Sequence, residues 1–111
     1  MSRPADQGRD VAVSQIDWRG HTIRITYEAD WLGMNARRGH YSTAHLQIET
    51  LAPECAPLPM TETGYRSYFT DRAVIEDAGG PDAFVLAWLE HEAAKPAWKA
   101  REAQARQLSL F

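Results

Sequence analysis

The chain has 111 residues, 44% of them apolar and 24% charged, with a formal net charge of −3. That length supports one core and not two, and the negative balance argues against a protein that coats nucleic acid through many phosphate-neutralising cations. No apolar run reaches the length of a membrane span, residues 1–10 are too polar for a signal peptide, and the lone Cys55 cannot form an internal disulfide, so the expected setting is the cytoplasm.

Residues 1–10 have almost nothing to bury and read as a flexible arm. Val11, Val13, Ile16 and Trp18 predict a first strand with a phase slip at Ser14-Gln15, and Arg19-Gly20 supplies a tight turn. In the next strand Ile23, Ile25 and Tyr27 alternate with Arg24, Thr26 and Glu28, the period of a sheet with one wet face. Residues 29–40 lose that period and read as a long exposed hairpin loop, which carries Trp31, Leu32 and Met34 as well as Arg37-Arg38. A third strand follows, with Ala44, Leu46 and Ile48 alternating against His45, Gln47 and Glu49.

Pro53, Pro57 and Pro59 exclude ladder pairing over most of residues 51–59, which read as an extended connector. Gly64 permits a positive φ in a turn, Thr61 and Thr63 can cap locally, and residues 65–75 predict a short fourth strand. Glu62, Tyr65 and Arg66 are expected to form a small polar group on the rim of the sheet. Gly79-Gly80-Pro81-Asp82 is a helix start, because proline suits the first helical position and an acid suits the positive end of the dipole. The helix is predicted over 81–94, with Phe84 and Trp88 at i and i+4, Val85 and Leu89 in the adjacent row, and Leu86 beside them. Pro96 interrupts it, and a second, alanine-rich helix is expected over 97–106.

Catalytic and metal chemistry find little footing. His91-Glu92 lacks the second histidine of a metalloprotease helix, since Lys95 stands where it would be. His40, His45 and Cys55 lack a fourth zinc ligand. Cys55 has no neighbouring cation to stabilise a thiolate, and no phosphate-cradling loop is present. The chain is therefore expected to be non-enzymatic and to need no cofactor or metal. Residues 49–92 hold nine acids and two bases, whereas 93–111 hold four bases and one acid. An acidic surface including Asp77, Asp82 and Glu90, together with the loop residues Trp31, Met34, Arg37 and Arg38, is a candidate protein interface. Two arginines give too weak an electrostatic term for direct nucleic-acid binding.

The end of the chain is the most specific feature. Gln107-Leu108-Ser109-Leu110-Phe111 follows a polar helix and places three large apolar side chains together. The pentapeptide resembles the motif Gln-Leu-(Ser/Asp)-Leu-Phe with which bacterial DNA-metabolism proteins bind the replicative sliding clamp. The resemblance implies that Gln107 hydrogen-bonds at a pocket rim, Leu108 fills one apolar subsite, and Leu110 with Phe111 fills the deeper one. Burying three such side chains is worth roughly 1.5–3 kcal/mol each, against about 1–2 kcal/mol of backbone entropy per ordered residue. Micromolar binding, about −8 kcal/mol, therefore needs the glutamine hydrogen bonds and backbone pairing of an extended peptide or a partly pre-ordered tail; the alternative is that Leu108 to Phe111 folds back and seals the protein's own core.

The stretch from Ala56 to Ser67, followed by Gly79-Gly80-Pro81 and by Trp88-Leu89-Glu90-His91-Glu92-Ala93-Ala94, resembles small uncharacterised proteins of bacterial plasmids and integrative conjugative elements. That resemblance implies a genetic setting and assigns no residue a role. The expectation is an α+β fold: a three- to four-stranded antiparallel meander packed against one or two C-terminal helices. Its parts are an arm over 1–10, one domain over 11–106 and a docking tail over 107–111. Its expected partner is the sliding clamp or, alternatively, a host defence complex that it inhibits as an anti-CRISPR or anti-restriction protein.

Overall fold

The computed structural model describes residues 11–31 and 43–108. Four strands, β1 (Val11–Trp18), β2 (His21–Glu28), β3 (Thr43–Ala52) and β4 (Tyr65–Asp71), form an antiparallel sheet in the order β1-β2-β3-β4. Three helices follow: α1 (Arg72–Asp77), α2 (Pro81–Ala93) and α3 (Pro96–Leu108). The expected α+β meander is the observed fold.

One face of the sheet makes the core. Ile25 pairs with Ile48 and Tyr27 with Leu46, while Leu46 pairs in turn with Tyr68. The period-two pattern thus stacks apolar side chains across three strands. Ile23, Ile25, Leu46 and Ile48 are fully buried, and Ile75 of α1 with Val85 and Leu89 of α2 closes over them. Phe84 and Trp88 meet edge to face with ring centres 6.0 Å apart. Leu86 lies at the margin of this stripe and is exposed.

β1 differs from its predicted form. It pairs with β2 without a slip, from Val11–Glu28 to Trp18–His21. Ser14, Ile16 and Trp18 consequently share the inner face, and Val11 and Val13 are left exposed. Ser14 is tolerated inside because its hydroxyl donates to Asp82 on α2. The turn is as expected: Arg19 (φ 47°) and Gly20 (φ 84°) both take positive φ, which a two-residue hairpin turn demands.

The proline-rich connector folds back beneath the sheet. Leu58 and Thr61 exchange backbone hydrogen bonds of 2.8 and 2.9 Å, and Leu58 and Met60 are buried. The buried Thr50 hydroxyl donates to the Ala56 carbonyl at 2.8 Å. Gly64 (φ 77°) passes so close to Cys55 that a Cβ there would lie 2.7 Å from its carbonyl carbon. The predicted capping is present, since Thr61 and Thr63 hydroxyls both donate to the Tyr65 carbonyl, at 2.8 and 3.2 Å. Arg66 departs from the expected rim group. It lies on the inner face opposite Ile48 and donates to the Met60 carbonyl at 3.2 Å.

The fourth strand also stops earlier than predicted. Asp71 accepts from the Ala73 amide at 3.0 Å and caps α1, and an Arg72–Glu76 pair one turn apart supports that helix. The helix start at Gly80-Pro81 matches the expectation, and α3 begins one residue before and ends two residues after its predicted limits.

Candidate functional site

Three places outside the core present side chains to solvent. The first is α3. Trp98 is buried against Trp18, with ring centres 6.1 Å apart, and Glu102 accepts two hydrogen bonds from Arg19, at 3.0 and 3.1 Å. Beyond Glu102, residues 103–107 are all exposed. Gln107 therefore lies exposed in the last turn of the helix, and Leu108 ends it. Leu110 and Phe111 lie outside the described residues.

The second is the outer face of the sheet. Glu28, His45 and Phe69 form one cross-strand row. The His45 ring stacks on Phe69 with centres 4.3 Å apart, and Trp31 meets Phe69 edge-on at 4.7 Å. His45 Nε2 and the Ser67 hydroxyl are 2.6 Å apart. Burial lowers the His45 pKa from its ordinary value, and the nearby Glu28 carboxylate offsets this in part. Phe69 itself is 48% exposed and Tyr65 on the same face is 47% exposed, so a half-covered aromatic surface faces solvent. Trp31 was expected in an interface loop and belongs to this cluster. Met34, Arg37 and Arg38 lie outside the described residues.

The third is a groove of about 470 Å³ between β4, α1 and α2, walled by Tyr68, Val74, Phe84, Ala87, Trp88 and His91, with Ala78 at its side. Sequence reasoning did not find it. Its walls come from three elements, and α1 was read as strand, so Val74 and Ala78 could not be aligned with Phe84 and Trp88.

The three acids of the candidate acidic surface have different surroundings. Asp77 is exposed at the end of α1. Asp82 accepts from Ser14. Glu90 accepts from Trp18 Nε1 at 2.7 Å and from Arg19 at 3.1 Å. The indole hydrogen bond first, then the guanidinium, holds the Glu90 carboxyl below its usual pKa, while the Glu102 carboxylate first, then Glu90, raises the pKa of Arg19. Asp82 and Glu90 thus fasten α2 to β1 and its turn.

Among the described residues no three His, Cys, Asp or Glu side chains converge as a metal site, and no helix is long and apolar enough to cross a membrane. A family model described as the KlcB third domain matches residues 11–98. The match spans the whole sheet, α1 and α2, and it ends at Trp98, which is buried against Trp18. No curated protein and no solved structure matches the chain.

Proposed function

The chain belongs to the KlcB third-domain family, a domain of a plasmid-associated protein, and from that premise we propose that it is a non-enzymatic adaptor of mobile-element DNA metabolism that binds the bacterial sliding clamp through Gln107, Leu108, Leu110 and Phe111. The observation that carries this reading is the exposure of 103–107, beyond Trp98 and Glu102, which fasten α3 to Trp18 and Arg19. A clamp-like peptide that begins on an exposed helical turn has part of its backbone already ordered, which lowers the entropy cost of docking. The family match stops at residue 98, so the docking element lies beyond the matched domain. Affinity purification from bacterial cytosol, with the full chain and with residues 108–111 deleted, tests it. Clamp recovery with the full chain and its loss on deletion supports the adaptor; equal recovery, or none from either, rejects it.

A second reading, inhibition of a host defence complex by direct binding, draws on the exposed Trp31–Phe69 surface. Exposed aromatic side chains at a rigid surface are the usual anchors of protein interfaces. Under this reading Phe69→Ala removes inhibition of restriction or CRISPR interference, and deletion of the tail leaves it intact.

A further inference from the structure

We infer that the groove between β4, α1 and α2 is a binding site for a small organic anion with a flat apolar body, such as an aromatic carboxylate. The walls supply the apolar part. Tyr68, Phe84 and Trp88 are mutually packed, with ring centres 4.7 to 6.1 Å apart, and Val74 and Ala87 complete an almost entirely apolar lining. Its volume of about 470 Å³ lies in the range of small-molecule sites.

The charge of the ligand follows from the one cation that packs on a wall residue, Arg66 against Trp88, since other cations of the described fold are already neutralised. Arg24 is paired with Glu49, Arg72 with Glu76, Lys95 with Glu92, and Arg19 with Glu90 and Glu102. Arg66 makes no ion pair among the described residues. Its guanidinium lies 5.4 Å from the centre of the Trp88 ring, and one of its nitrogens donates to the Met60 carbonyl. A guanidinium has five donors, so Arg66 retains capacity for a carboxylate. His91 stands one helical turn beyond Trp88 on the same wall and adds a second polar group at that end. The acids of α2 do not oppose an anion here, because Asp82 and Glu90 turn toward β1 and Glu92 is held by Lys95. An aromatic body against Tyr68, Phe84 and Trp88 with its carboxylate toward Arg66 satisfies both halves of the site.

The test is an NMR titration of the full, isotopically labelled chain with indole-3-acetate and, separately, with its neutral counterpart indole-3-acetamide. The expected result is saturable shifts centred on Val74, Ala87, Trp88 and His91, with the amide about fivefold weaker or worse because it cannot form the charge-assisted bond. Arg66→Gln should reduce the acetate to the affinity of the amide, and its melting temperature reports that the fold is intact. Ala87→Leu, which fills the groove, should remove binding of both. Equal affinity for the two probes, the result expected if the groove instead takes an apolar segment of a protein partner, overturns the inference. So do shifts centred elsewhere and the lack of saturable shifts at millimolar probe.

Discussion

Two glycines separate conformational strain from steric collision. Gly20 (φ 84°) has open space around a would-be Cβ, whereas Gly64 (φ 77°) would drive that carbon into the Cys55 backbone at 2.7 to 2.8 Å. Gly20→Ala should cost roughly 1–2 kcal/mol, the left-handed penalty alone. Gly64→Ala should cost clearly more, since backbone rather than a flexible side chain must move; urea denaturation of both variants measures the difference. His45 predicts a pH dependence of known sign. Its folded pKa is lowered by burial, so the unfolded chain takes up the proton first as pH falls below the ordinary value of about 6.5. Its contribution is complete above that pH and is lost as pH falls toward the folded pKa. His45→Gln should flatten the stability curve in this window, and an unchanged slope would show that other groups set it.

At the scale of elements, α1 and α3 illustrate opposite kinds of helix. α1 has six residues, too few for a legible period, and lives on its Asp71 cap and buried Ile75. Asp71→Ala should destabilise the protein by about 1 kcal/mol. The signals of a strand ending there, an Asp cap followed by Arg72 and Glu76 at i and i+4, are present in the sequence, but without a helical period beside them they do not separate residues 72–75 from the predicted strand. α3 is anchored near its start. Trp98→Ala should cost about 3–5 kcal/mol, while truncation after Glu102 should leave the unfolding midpoint nearly unchanged, because 103–107 bury nothing. β2, β3 and α2 were legible for a plain reason: each has a regular apolar period, and local punctuation marks their starts, Arg19-Gly20 before β2 and Gly80-Pro81 at α2.

At the scale of the whole molecule, what sequence could not disclose is long-range pairing. Ser14 looked like a break in β1 because its partner, Asp82, is 68 residues away, and Glu90 looked like a free surface charge because Trp18 is 72 residues away. Trp18 is the centre of this arrangement: it touches Trp98, bonds Glu90 and carries Arg19 over its ring at 4.8 Å. Trp18→Ala should cost about 3–5 kcal/mol and unfold sheet and helices together in a single transition. Arg19→Ala should cost less, since its ion pairs are exposed. The same geometry bears on biosynthesis. Arg19 lies 71 residues ahead of Glu90 and 83 ahead of Glu102, an interval on the order of 5–15 s of translation. Throughout that interval the nascent meander has an oily side and no lid, so the cell must shield the hairpins from neighbouring polypeptides until the last helices leave the ribosome.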